Sequence, residues 1–329
     1  MNKKIALGII ILILVSFVSL FLGRYSIEPR EVIEAFSNKI HSVSEESFNS
    51  TVIWDIRIPR VLLNILVGFG LSVAGTSFQG IFKNNLVSPD ILGVSSGAGF
   101  GAALALLLFP GSSKLLLTIS FSMGILSVAI SYLIAKIKVE DSVLSLVLSG
   151  VIVGSFFNAL TSFIKLIADT ESTLPSITYW LMGSFTGASM DKVFLASVPI
   201  ISGIVILFIL RWRINILSLG DEDTKSLGVN PKRNRVLVIM ASTLITSGAV
   251  MVSGIIGWIG MLIPNICREI IGADNRYLIP FSGIVGAIFL VLVDLIARSL
   301  TGTEIPIGIL TAILGAPMFI YTYTRRDIK

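Results

Sequence analysis

The sequence predicts an all-α polytopic membrane protein of about ten transmembrane helices, and three observations predict it. Of 329 residues, 54% are hydrophobic and 14% charged, with a mean hydropathy of +0.91. Soluble domains run at about 45–50% apolar and about 25% charged. The apolar residues form continuous runs of about 18–22, which at about 1.5 Å per residue cross the roughly 30 Å of bilayer hydrocarbon. The runs do not alternate over about 9–11 residues as barrel strands do, so helices are the spanning element that fits.

The runs fall at 5–22, 60–80, 91–109, 115–136, 142–167, 191–210, 234–253, 257–271, 279–299 and 306–323, and they read as one transmembrane domain over 1–329. Lys3 and Lys4 precede the first run, as they do in a signal peptide. No small-x-small cleavage site follows it and Arg24 and Tyr25 cap it, so a retained span is expected. Between 23 and 59 lies a polar external loop, expected to hold a short amphipathic helix and then a flexible connection. The run at 257–271 is short, with Pro264 inside it and Gly254, Gly257 and Gly260 around its start, which predicts a tilted or broken helix. Segment 169–190 carries Pro175, Trp180, Gly183 and Gly187 and reads as a re-entrant or interfacial piece.

Ten spans with both termini inside place sixteen of the twenty-five Lys and Arg residues on the cytoplasmic side, among them Lys83, Arg211, Lys225, Arg235, Arg268 and Arg276. The positive-inside rule favours that orientation.

Several function classes recede on the same grounds. The net charge of +5 is scattered through short segments and forms no nucleic-acid patch. Cys267 is the one cysteine, which excludes an intrachain disulfide, and His41 is the one histidine, in a polar loop. Both are expected to be functionally silent, with no metal and no cofactor. Gly93, Gly97 and Gly101, and Gly68 with Ser72 and Gly75, are spaced for close helix packing. No Gly-x-x-x-x-Gly-Lys-Ser/Thr loop is present, so ATP-driven work would need another polypeptide. A secondary transporter places ionisable groups near the midplane. Here Asp294 and Lys165 are the intramembrane candidates, both near outer ends. An intramembrane enzyme needs a nucleophile with a base, or clustered ligands, and the chain is expected to perform no bond chemistry.

Two stretches carry chemistry of their own. In the loop 211–235, Asp221, Glu222 and Asp223 suit a helix N-terminus and Gly228 suits a left-handed C-terminal position. A short helix there is either a handle for a partner or a solvated connector. In the fifth run, Ser155, Asn158 and Ser162 share one helix face, as a wet pathway or as packing glue.

Loop 211–235 resembles the coupling helices of the iron-siderophore and vitamin B12 permease family of ABC importers. Arg57-Ile-Pro-Arg60, Gln79-Gly80, Asn84, Leu86, Pro89-Asp90 and Leu92 through Ala98 are similar to that family's N-terminal signature. Gly257 through Pro264, Arg268, Glu304-Ile305-Pro306, Gly308 through Thr311 and Gly315-Ala316-Pro317 are similar to its C-terminal signature. The likeness runs from about residue 5 to 325, with Asn85 where the family usually has proline and Asn265 where it usually has histidine.

The resemblance implies type II ABC importer permease architecture in the cell (inner) membrane: a second copy of the chain, two ATP-binding cassette ATPase subunits below and an extracytoplasmic binding protein above. It implies ATPase coupling through the 219–229 region at Gly220, Asp221, Glu222, Leu227 and Gly228. It places Arg57, Arg60 and Arg298 against carboxylates of the binding protein, although arginines at span ends also snorkel to headgroups and Asp294 is spaced to pair with Arg298. It sets Ser155, Asn158 and Ser162 of the fifth span, and Thr311 and Gly315 of the tenth, beside the pore. The substrate class it implies is a metal chelate, foremost an iron(III) siderophore, with haem, cobalamin and molybdate as alternatives.

Overall fold

The computed structural model describes residues 2–23, 25, 27–40, 48–137 and 143–326. His41, Arg24 and Lys138 lie outside the described residues. Within them the regular structure is all helical: α1 (Asn2–Phe21), α2 (Pro29–Ile40), α3 (Phe48–Thr51), α4 (Ile58–Phe82), α5 (Val94–Leu108), α6 (Ser113–Ile137), α7 (Val143–Ile167), α8 (Thr173–Leu181), α9 (Met190–Leu217), α10 (Asp221–Ser226), α11 (Pro231–Ser253), α12 (Ile259–Ile271), α13 (Asn275–Ser299) and α14 (Ile307–Arg326).

Each of the ten apolar runs is a helix, and seven are long and apolar enough to cross a membrane. Helix α5 and the apolar part of α14 are shorter. Helix α12 has 13 residues and runs unbroken through Pro264, so at about 1.5 Å per residue it reaches about 20 Å. Its shortness comes from its start. Gly254 turns at φ +68° and Trp258 at φ +72°, both in the left-handed region, and the chain between them is not helical.

The 23–59 segment departs from expectation in its second half. Helix α2 is amphipathic as anticipated, but from Phe48 the chain is helical through a π-turn at Val52–Arg57 straight into α4. Leu20, Ile27, Val32, Ile53 and Val61 bury one another there, and that apolar cluster orders what composition alone reads as a flexible connection.

Helix α4 is the spine, with α13, α9, α11 and α12 packed around it. Helices α5, α6 and α7 form a second group joined to the first through α11, and α1 lies on α13. Glycines set these approaches, because a membrane offers little hydrophobic drive between helices and contact must come from close fit. A Cβ on Gly75 would lie 1.9 Å from the Gly260 carbonyl oxygen, and one on Gly68 2.5 Å from that of Gly286. Gly97 and Gly101 seat α5 on α6 at 2.6 Å from the Met123 and 2.7 Å from the Ile119 carbonyl oxygens. The small-residue spacing seen in the sequence is thus the spacing of helix contacts.

Polar contacts group by end. Lys4 Nζ donates to the Ile270 carbonyl at 2.7 Å, Asn215 Nδ2 to Asp274 at 2.7 Å, and the Lys83 ammonium lies 3.1 Å from where a Cβ on Gly220 would stand. At the opposite end Arg60, Arg298, Asp294, Glu304 and Ser19 meet. Helices α1, α4 and α13 thus each run from one end to the other.

Candidate functional site

At the end bearing the loop between α9 and α11, α10 is a helix of six residues with all three acidic residues in its first turn. It stops in a Schellman arrangement. Gly228, at φ +76°, donates to the Lys225 carbonyl at 3.0 Å and Val229 to that of Thr224 at 3.1 Å. Two anchors hold it. Thr224 is fully buried, its hydroxyl donating to the Ile216 carbonyl at the end of α9 at 3.0 Å, and Asp221 pairs with Arg235 of α11 at 2.7 Å. The opposite face of α10 is open: Glu222, Asp223, Lys225, Leu227 and Gly228 are exposed. Leu219, just before α10, and Leu227, just after it, are 58% and 57% exposed. The sequence suggested the capped helix, but not the threonine that pins it. Thr224 has no pattern of its own until the end of α9 comes beside it.

Beside this end a polar cluster ties α12 to α4. Arg268 donates to Gln79 Oε1 at 2.8 Å and to Asn265 Oδ1 at 3.0 Å, and Asn265 donates to the Met261 carbonyl at 2.8 Å. Asp274 accepts from Arg276 and from Asn215, and chiefly the Arg276 guanidinium holds its carboxyl down at about 2.

At the other end the structure withdraws Arg57, Arg60 and Arg298 from the surface where docking was expected. Their exposures are 4%, 6% and 7%. Arg60 is shared between two carboxylates, Asp294 at 2.9 Å and Glu304 at 2.8 Å. Arg298 donates to the Ser19 carbonyl at 2.6 Å and stands 3.7 Å from Asp294, the pairing its helical spacing allowed. Arg57 donates to the carbonyls of Leu20 and Tyr25. The physical reason is desolvation: a cation on an enclosed helix is tolerable only when paired, and α4 is among the most enclosed helices of the fold. These arginines neither snorkel nor face outward.

The network continues outward. Glu304 accepts from Thr186 at 2.7 Å, and Thr186 meets Ser184 at 2.7 Å and Tyr179 at 3.1 Å. Burial pushes the Glu304 carboxyl up, but the Arg60 guanidinium and Thr186 hydroxyl outweigh it and hold the group below the usual range. Segment 169–190 is therefore a cap fixed to the helix ends. Its α8 leads into backbone bonds from Ser184 to the Ser253 carbonyl and from Ile307 to that of Gly183, each 2.8 Å. Sequence reading set these residues apart without pairing them, since Arg60 and Glu304 are 244 positions apart.

On α7, Ser155, Asn158 and Ser162 share an exposed face, and the last two line a crevice of about 270 Å³ with Ser95, Ser96, Gly99 and Lys165. The α14 residues do not join them. Thr311 is fully buried and donates to the Gly308 carbonyl at 3.1 Å, and a Cβ on Gly315 would lie 2.9 Å from Trp258. Both are packing positions where α14 closes on α12, because the left-handed Trp258 lays its ring over Gly315. Cys267 is buried, and among the described residues no three His, Cys, Asp or Glu side chains gather as a metal site.

A bundle of apolar helices in glycine contact, an ion-paired cap at one end and a pinned, outward-facing short helix at the other define a multi-pass membrane transport protein. The chain belongs to the FecCD transport family, which it matches over residues 11–325. It is 40% identical to the molybdate import system permease protein MolB of Haemophilus influenzae, over 96% of this chain and 94% of that one. It is 39% identical to a probable iron chelatin transport system permease protein of Helicobacter pylori, over 98% and 97%. A solved structure described as an inward-facing metal-chelate type ABC transporter is 39% identical and superposes with a TM-score of 0.89, covering 99% of this chain and all of that chain.

Proposed function

We propose that this chain is the pore-forming permease of an ATP-driven importer for a metal chelate, foremost an iron(III) siderophore, with molybdate, haem and cobalamin as the alternative cargoes. The observation that carries the reading is full-length similarity to a metal-chelate type ABC transporter at a TM-score of 0.89. In this reading two copies enclose the pathway in the cell membrane, with both termini in the cytoplasm. Two ATPase subunits supply the hydrolysis, and an extracytoplasmic binding protein delivers the solute.

The ATPase seats on α10, where Gly220, Asp221, Glu222, Leu227 and Gly228 present the exposed face. Because Thr224 and the Asp221–Arg235 pair join α10 to α9 and α11, displacement of α10 is passed to both spans. The binding protein meets the 169–190 cap, which Arg60, Arg298 and Arg57 stiffen from below. Ser155, Asn158 and Ser162 line the pathway. Transport then consists of switching between packed states for which ATP binding supplies differential free energy.

The test is uptake by vesicles holding the permease, its ATPase and its binding protein. Gly228→Val places a β-branched residue at φ +76°, which such residues rarely adopt. Uptake falls while ATP hydrolysis continues if α10 is the coupling element. Unchanged uptake per ATP removes that role, and uptake that persists without the ATPase returns the chain to the gradient-driven class.

A further inference from the structure

The crevice between α5 and α7 contains a cation that the packing does not explain. Lys165 lines it together with Asn158, Ser162, Thr161, Ser95 and Ser96, and among the described residues no ion pair to Lys165 is seen. The nearest acid along the chain, Asp169, just past the end of α7, is engaged by Ser172. Its carboxylate accepts from the Ser172 hydroxyl at 2.6 Å and the Ser172 amide at 2.8 Å.

The remaining groups suit an oxygen-rich ligand. Asn158 is exposed toward the crevice and its amide offers donors as well as an acceptor. Ser96 stands where α5 meets α7, its Oγ 3.5 Å from where a Cβ on Gly154 would lie. Asn158 is nine residues from the end of α7, so the crevice reaches about 14 Å down the helix. Snorkelling alone would leave Lys165 among headgroups, but here the same cavity continues from its side chain past Ser162 to Asn158.

We infer that the α5–α7 crevice is an anion-selecting site in the pathway, with Lys165 as its charge and Asn158, Ser162 and Ser96 as hydrogen-bonding partners, taking oxygen-rich anions such as oxyanions or carboxylate- and catecholate-bearing chelates. The inference rests on the pathway reading of α7 and specifies its substrate class. A lone cation in a confined, partly apolar crevice raises the local concentration of anions and repels cations.

The full-length chain in membranes with its ATPase provides the test. The one native cysteine is buried, so Asn158→Cys supplies a single reactive thiol in the crevice. Its labelling rates with a sulfonate-bearing and a trimethylammonium-bearing methanethiosulfonate are measured, each divided by the rate with a free thiol. The sulfonate reagent is expected to be favoured several-fold, the preference to vanish in Lys165→Gln and to reverse in Lys165→Glu. Millimolar molybdate is expected to slow the labelling when Lys165 is present and not in Lys165→Gln, while cyanocobalamin, which carries no net charge, does not slow it. A thiol that reacts but shows the same charge preference with Lys, Gln or Glu at 165, or that molybdate does not protect, overturns the anion inference and leaves the pathway reading standing. A thiol that reacts with neither reagent in any nucleotide state overturns both.

Discussion

Asn265 of α12 donates its side-chain amide to the backbone carbonyl of Asn85 at 2.9 Å, joining two positions 180 residues apart. Both are positions where the residue differs from the one the family resemblance would imply, proline at 85 and histidine at 265. Asn265 also bonds the Met261 carbonyl and accepts from Arg268, which reaches on to Gln79. The asparagine thus closes a hydrogen-bonded ring between α12 and the end of α4.

Asn265→Ala should therefore loosen α12, removing three bonds to half-buried partners at a cost of about 0.5–1.5 kcal/mol each at most. A lower melting temperature of the purified protein in detergent is expected. Asn265→His, which keeps one donor, should fall between alanine and wild type. An alanine variant as stable as the parent would show that the ring contributes nothing net.

Helix contact through Gly75 is the least forgiving point of the fold. A Cβ there would lie 1.9 Å from the Gly260 carbonyl, with backbone and no flexible side chain in its way. Gly75→Val is expected to part α4 from α12 and to abolish a monodisperse, folded product in size-exclusion chromatography. Gly302→Ala, where a Cβ meets nothing within 4 Å, should elute as the parent does. Equal behaviour of the two would refute close packing as the basis of the α4–α12 contact.

What the sequence made legible follows from how each feature is encoded. Helix positions are written in local apolar runs, so all ten appeared, and the Gly-Ser spacing on α4 and α5 announced close contact. Partners across the chain are not written locally. Arg60 reads as an outward cation until Asp294 and Glu304 are brought to it, and Thr311 reads as pore lining until Trp258 adopts φ +72° and α14 closes over Gly315. The Asn265–Asn85 bond ends on a backbone carbonyl, which leaves no side-chain signature at all.

Acid should weaken both polar ends. Glu304 and Asp274 have folded pKa values below their unfolded ones, the latter at about 2 against 3.8. A depressed carboxylate stabilises the fold above its unfolded pKa and loses that contribution as pH falls through the folded value. Melting temperature should decline from about pH 5 downward, with the Asp274 part lost between about pH 4 and pH 2. In Glu304→Gln and Asp274→Asn the pH dependence should flatten while stability near neutral pH drops. A slope unaltered by both substitutions would place the acid sensitivity elsewhere.

Holding α10 in place and forming it rest on different residues. Thr224 is fully buried and bonds the Ile216 carbonyl, whereas the helix itself is shaped by its acidic first turn and the Gly228 turn. Thr224→Val keeps the volume and removes the hydroxyl, leaving the Ile216 carbonyl only the Leu219 amide as donor. Thr224→Ser keeps the hydroxyl. If α10 transmits force through this anchor, the valine variant should bind its ATPase normally, hydrolyse ATP at a similar rate and import several-fold less solute per ATP, and the serine variant should recover most of the yield. Loss of ATPase binding in Thr224→Val would instead make the threonine part of the docking surface, and equal yield in both variants would leave force transmission to the Asp221–Arg235 pair, where Arg235→Gln is the variant to compare.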